Sequence, residues 1–309
     1  MNTRRGFLKS AGLMLAGSSL YPLLSRAEEV GSAFVAKPIG IQLFTVFEPM
    51  NQDPKGTLKQ IAAIGYKEIE SAFSSRGGYY GFKPKEFKAI VEDLGMKWRS
   101  HHALGAPFKP RPGMKMPLGK DGKPMTFPPS LNLKENYQQL ADEAAEAGLN
   151  YLVCASTPVA TMEEIKSSIE VFQKAAEASK KAGVQFAYHN HATEFDPVEG
   201  GKTPYEVILS QTSPDLVKME LDLAWATKAG KDPVAIFKEH PGRFPIWHIK
   251  DIKSDLKTIT EVGNGVVDFK KAFSAAKIAG LKYFFVEQDL APSMDNVKIS
   301  FDHLSKILA

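Results

Sequence analysis

Gln185-Phe186-Ala187-Tyr188-His189-Asn190-His191 holds the fold in miniature: a short, largely apolar run that ends abruptly in imidazole and amide side chains. With Gly183 just before it and helix-like sequence on either side, the run reads as a strand covered on both faces. Working outward, the same pattern recurs along the chain. The predicted strands span residues 39–44, 66–71, 97–102, 151–155, 185–189, 217–221, 245–249 and 283–287. Amphipathic helical stretches separate them, such as residues 133–147, with Asn132 as N-cap and Gly148 as the stop. Gly65, Gly95, Gly148, Gly183 and Gly280 each stand just before a predicted strand, where a glycine turns the chain cheaply out of a helix. Eight strand–helix units in one chain predict a single-domain (β/α)8 TIM barrel over residues 36–309. A doubly wound open sheet is the alternative, but no Gly-rich dinucleotide fingerprint follows the first strand.

Two segments stand outside this rhythm. Residues 104–131, from Leu104-Gly105-Ala106-Pro107 to Pro128-Pro129, form a Pro/Gly-rich insertion after the third strand, on the catalytic face of a barrel. It reads either as a surface loop or as a lid or subunit contact. The other is the start, Thr3-Arg4-Arg5-Gly6-Phe7-Leu8-Lys9, followed by a weakly apolar stretch from Ala11 to Leu24 and small residues near Ser25-Arg26-Ala27. This is the layout of an export signal over residues 1–27, twin-arginine in type, and it predicts a periplasmic or otherwise exported protein. The apolar run is too short and too rich in Gly and Ser for a stable membrane span.

Charge narrows the partners. The formal net charge is +4, but Arg4, Arg5, Lys9 and Arg26 all lie in the leader. Without those four, the 39 basic residues fall to 35, equal to the 35 acidic ones. A neutral body gives no electrostatic reason to expect nucleic acid as a partner. The single cysteine, Cys154, sits in an apolar run and reads as a packing residue rather than a nucleophile. A small carbohydrate or polyol is the expected ligand, and a homo-oligomer is left open.

The ends of the strands carry the chemistry, because barrel active sites assemble at the C-terminal ends. Glu70 closes the second strand, and His101-His102 the third. His189-Asn190-His191 closes the fifth, and Glu220-Leu221-Asp222 the sixth. His248-Ile249-Lys250-Asp251 closes the seventh, and Glu287-Gln288-Asp289 the eighth. Desolvating that many carboxylates and imidazoles is costly unless they share a cation. His189, Asp222, His248 and Glu287, one from each of the last four strands, suit one divalent ion such as Mn, Mg, Co or Zn. Such an ion chelates sugar oxygens and acidifies a neighbouring C–H or O–H. Glu287 is the expected carboxylate base and Lys250 an enolate stabiliser, unless it is tied up by Asp251. His191 and Glu194 are further acid/base candidates, with Glu194 an alternative ligand. Glu70, His101, His102 and Trp225 are expected sugar contacts.

These residues carry a likeness. Tyr188-His189-Asn190-His191, Glu220-Leu221-Asp222, His248-Ile249-Lys250-Asp251, residues 262–269 (Val-Gly-Asn-Gly-Val-Val-Asp-Phe) and Val286-Glu287-Gln288-Asp289 appear in this order. Together they resemble the xylose isomerase-like sugar phosphate isomerase/epimerase superfamily. The resemblance implies a metal-dependent barrel among ketose epimerases, aldose–ketose isomerases, inosose dehydratases and dehydroshikimate dehydratases. The superfamily's usual ligands are Glu, Asp, His and Glu on strands five to eight, and the last three map onto Asp222, His248 and Glu287. His189 stands where the first glutamate is usual, which puts two-glutamate epimerisation in doubt. The Tyr-His-x-His pattern looks closer to the inosose dehydratase branch. The expected activity is isomerisation or epimerisation of a small sugar, with a keto-sugar dehydratase or lyase as rival. No phosphate-binding Gly-rich loop is evident, so a non-phosphorylated sugar is expected. A noncatalytic sugar-binding barrel is the alternative of another class.

Overall fold

The computed structural model describes residues 37–108 and 130–309. Residues 1–27, expected from sequence to be an export signal, and most of the 104–131 insertion lie outside the described residues. Among the described residues, ten strands follow in chain order: β1 Gly40–Gln42, β2 Glu68–Ser71, β3 Lys97–Leu104, β4 Tyr151–Ser156, β5 Gln185–His189, β6 Val217–Asp222, β7 Ile246–Ile249, β8 Asp251–Ile252, β9 Ile259–Thr260 and β10 Tyr283–Val286. Eight close into a parallel barrel, β1 to β7 in sequence order and then β10, which pairs back onto β1. The predicted (β/α)8 architecture is therefore the observed one. The small antiparallel ribbon β8–β9 was not anticipated; it folds as a flap after β7.

Closure depends on one small residue. Gly40 pairs with Phe285 across the β1–β10 seam. A Cβ at position 40 would lie 2.5 Å from the Phe285 ring and 2.8 Å from the Phe284 carbonyl oxygen. β1 is also shorter than predicted, because Leu43–Val46 turns into a 3-10 helix whose first free amide is capped by the Gln42 side chain. Elsewhere the caps match the sequence: Asn132 accepts from the Glu135 amide at 3.1 Å and Gly148 ends that helix at φ 68°.

Side chains alternate across each strand, so one set fills the barrel and the other meets the helices. Inside, Tyr151, Val153, Ala187, Ile246 and Phe285 form an apolar floor drawn from β4, β5, β7 and β10. Outside, Trp247 stacks on Phe237 at 4.6 Å between ring centroids and packs against Phe273. Two residues beyond Ile246 on the same face comes His248, and two beyond that Lys250. The polar side chains of the barrel thus begin directly above an apolar floor, which keeps water away from that side. Among the described residues no helix is long and apolar enough to cross a membrane.

Candidate metal centre and active site

His189 ends β5, Asp222 ends β6, His248 lies within β7 and Glu287 directly follows β10. All four are buried. One donor atom from each lies within 4.8 Å of the others, so the four side chains predicted as ligands converge. Asp222 serves two purposes. Its Oδ1 caps the helix Leu223–Lys228 by accepting from the Trp225 amide at 2.9 Å. Its Oδ2 is buried without a hydrogen-bond partner, although Lys250 Nζ stands at an ion-pair distance of 3.2 Å. The angles there do not suit a hydrogen bond, so that oxygen is left for another electrophile. Burial, only partly offset by Lys250 and His248, holds the Asp222 carboxyl above its ordinary pKa. Two imidazoles, two carboxylates and an orphaned oxygen fit a divalent ion of the Mn, Mg, Co or Zn class.

Lys250 is the permanent cation of the centre. Its Nζ lies 2.7 Å from Glu287 Oε2 and 2.9 Å from Asp289 Oδ1, and 4.9 Å above the Trp225 ring. Burial disfavours the ammonium, but the charges of Asp222, Asp289 and Glu287 outweigh it and raise its pKa well above the ordinary lysine value. Burial likewise opposes the Glu287 carboxylate, and Lys250 and His248 outweigh it, holding that group ionised. The alternative expected from sequence, a Lys250–Asp251 pair, does not form. Asp251 faces the other way and accepts from the backbone amides of Gly263, Gly265 and Val267 at 2.9, 2.9 and 3.1 Å. Gly265 is required there, since a Cβ would lie 2.2 Å from Asp251 Oδ1.

A deeper polar layer lies between this centre and the floor. Glu70 Oε1 is 2.7 Å from His248 Nε2 and accepts from Gln42 Nε2 at 2.7 Å, while its Oε2 accepts from Ser100 Oγ. Glu220 Oε2 sits 2.6 Å from His102 Nε2, 3.1 Å from His189 Nδ1 and 3.3 Å from His248 Nε2. Burial lowers the pKa of His102, but Glu70 and Glu220 outweigh it and push it up to about 9. Glu220 is correspondingly held down to about 2: burial and Glu70 oppose its charge, and His248 and His102 overcome them. His102, His189, Glu220 and His248 form a second group of donors within 4.8 Å of one another.

Other residues named from the sequence fall into place around this core. Glu70 is fully buried with both oxygens engaged, so it does not reach a substrate as expected; it supports the centre from beneath. His102 is placed with it. His101 points out of the barrel, with Nδ1 2.8 Å from Ser71 Oγ and its ring edge-on to Tyr79. It lines a cavity of about 310 Å³ with Phe73, Tyr79, His102, Leu131 and Glu135, at the small end of ligand-sized sites. His191 stands at the rim, its side chain 42% exposed and its ring 5.0 Å from that of His189. Trp225 lies 6.2 Å from the His191 ring and forms the platform under Lys250. Glu194 is not brought into the centre: Tyr188 Oη donates to its Oε1 at 3.0 Å, and the His191 amide to its Oε2 at 3.1 Å. It belongs to the loop after β5, on the Tyr188 side of the strand.

Gln42, Ser100 and Glu220 were not singled out from sequence as individual site residues. The signal for Glu220 and Ser100 was present, since each stands two residues before another inward side chain, Asp222 or His102. Gln42 carried no such signal.

Comparison with known proteins places the fold. Residues 58–307 match the family described as xylose isomerase-like TIM barrel. A solved sugar phosphate isomerase/epimerase from Parabacteroides distasonis is 27% identical, with a TM-score of 0.70 over 92% of this chain and 99% of that one. An L-ribulose 3-epimerase structure shares the fold at 15% identity, with a TM-score of 0.63 over 88% of this chain and 95% of that one. Inosose dehydratase from Geobacillus thermodenitrificans is 25% identical over 159 residues, 45% of this chain and 52% of that protein. The chain thus matches about half the length of that curated relative. A closed eight-stranded parallel barrel and a family match covering most of the chain lead to one conclusion: this protein belongs to the xylose isomerase-like TIM-barrel family.

Proposed function

We propose that the protein is a divalent-metal-dependent enzyme that removes a proton beside the carbonyl of a small, non-phosphorylated sugar or keto-sugar, acting as an isomerase or epimerase in the broad sense. The convergence of His189, Asp222, His248 and Glu287 carries this reading. When bound, the ion would hold vicinal substrate oxygens and polarise the carbonyl. This chain's own groups supply the rest. Glu287, ionised by its neighbours and oriented by Lys250, accepts the proton. The Lys250 ammonium faces the negative charge that develops on the carbonyl oxygen. Trp225 offers an apolar face to the ring, and His191 at the rim contacts a hydroxyl or relays a proton. Elements of the apolar floor beneath keep bulk water from that side.

One observation favours a second reading, elimination of water or of another leaving group. Proton exchange on both faces of one carbon calls for two bases, yet β5 presents His189 and Glu194 is held by Tyr188. Glu287 is left as the carboxylate base, which suffices for removal of a proton followed by departure of a β-substituent. The partial similarity to inosose dehydratases supports the same view. The leader read at residues 1–27 would place this activity outside the cytoplasm, testable by fractionating cells that express the full chain.

Incubation with keto-sugars in deuterated water, followed by NMR and mass analysis, separates the readings. Deuterium at a carbon beside the carbonyl with an altered stereocentre or shifted carbonyl supports the isomerase. Loss of water or of an aglycone supports the lyase. Metal content equal to wild type in both Asp222→Ala and Glu287→Ala would overturn the metal-centred mechanism.

A further inference from the structure

The deep layer raises a question of proton placement. A neutral imidazole has one N–H, yet His248 has a carboxylate at each nitrogen: Glu287 Oε2 at 2.7 Å from Nδ1, and Glu70 Oε1 at 2.7 Å from Nε2. Asp222 Oδ2 is also on the Nδ1 side, at 4.0 Å. Nδ1 therefore faces the side chains of the proposed metal centre, and Nε2 faces inward. His189 also meets a deep acid, with Nδ1 3.1 Å from Glu220 Oε2. The two deep acids are not independent, because His102 Nε2 touches both, Glu220 at 2.6 Å and Glu70 at 3.1 Å. Gln42 and Ser100 fix Glu70 from the β1 and β3 sides.

We infer that Glu70 and Glu220, tied together by His102, are positioning residues that dictate which nitrogen of His248 and of His189 is offered to the metal. The inference rests on the metal-centre reading above. Each acid accepts the N–H from the inner nitrogen of one histidine, leaving a lone pair on the other nitrogen. Such outer carboxylates orient a ligating imidazole and raise its basicity, and losing one weakens metal binding by about 10- to 100-fold. The arrangement would also tell the outer donor group apart from the inner one, whose atoms include the same two histidines.

The test uses the full chain loaded with Co²⁺. Stoichiometry comes from elemental analysis, affinity from chelator competition, and ligand geometry from the visible absorption bands. Glu70→Gln and Glu220→Gln are compared with wild type, with folding checked by circular dichroism. The expected result is one ion per chain, bound about 10- to 100-fold more weakly in each variant, with shifted bands. Ser100→Ala leaves the Glu70 charge in place and loosens it; a smaller loss in the same direction is expected, and it serves if either glutamine variant fails to fold. Wild-type affinity and bands in all three variants would overturn the inference while leaving the outer centre standing. Two ions per chain in the wild type, with one lost in Glu220→Gln, would also overturn it, making Glu220 a ligand; its buried, partnerless Oε1 is the atom such an ion would take. No bound ion in the wild type would bring down both readings.

Discussion

Lys250 Nζ lies 2.7 Å from Glu287 Oε2, inside the barrel and out of reach of bulk water. An ammonium at that position does two things: it keeps the carboxylate ionised, and it places positive charge where a substrate oxygen would become negative. Lys250→Met is expected to lower kcat by about 100- to 1000-fold, the usual loss on removing one preorganised electrostatic contact. Metal content should stay near one per chain. Activity within threefold of wild type would remove Lys250 from the chemistry.

Metal loading should stabilise the fold. Asp222 Oδ2 is buried without a hydrogen-bond partner, with the Lys250 ammonium at 3.2 Å, and a second, shared cation would further offset the clustered acids. At a metal concentration 100 times Kd, the gain for a single site is about 2.7 kcal/mol. A rise in melting temperature on adding metal to stripped protein is expected, and its absence in Asp222→Ala. An equal rise in both proteins would place the ion elsewhere.

His101 offers a pH test away from the proposed ligands. Burial, helped by the charge of His102, pushes its pKa down to about 3 from 6.5. The unfolded chain therefore takes up this proton before the folded one does. Stability is unaffected above pH 6.5 and falls as pH drops towards 3, by up to about 1.4 kcal/mol per pH unit for this one group. His101→Gln, measured by urea unfolding between pH 6 and pH 4, should show a flatter decline than wild type. Parallel curves would count against a buried neutral imidazole.

Asp251→Ala should be costly to the stability of the fold. It removes the acceptor for the amides of Gly263, Gly265 and Val267, and that of Ile252. A loss of about 3 kcal/mol is expected from partly buried donors left without partners. Gly265→Ala should act in the same direction, because its Cβ has no room beside Asp251 Oδ1 and the Ile252 carbonyl. Chemical denaturation measures both, and a change below about 0.5 kcal/mol in either, the range of ordinary surface substitutions, would contradict the packing described.

The barrel was readable because its strands are short apolar runs with polar ends, a contrast that needs no tertiary information. The convergence of His189, Asp222, His248 and Glu287 followed from the rule that such ends meet at one face. Less was readable where a side chain's partner lies across the barrel. The sequence offers Lys250 a partner in its neighbour Asp251, yet adjacent residues on an extended segment point to opposite sides, and its partners are Asp222, Glu287 and Asp289. Glu194 looked available five residues after His189, but the chain turns there and Tyr188, on the other face of β5, takes it. Glu70 looked like a substrate contact because it ends a strand. Its depth depends on the stagger of the strands around the barrel, which no local pattern reveals.

Lys250 and Asp251 are peptide neighbours that divide their labour, one reaching into the reaction chamber and the other gripping the turn at residues 263–267. The turn therefore acts as a keystone for the ammonium, although none of its own side chains need approach a substrate. Swapping that turn between relatives would retune the chamber by moving the backbone beneath a single nitrogen, a route to altered reactivity that leaves every polar side chain of the centre in place.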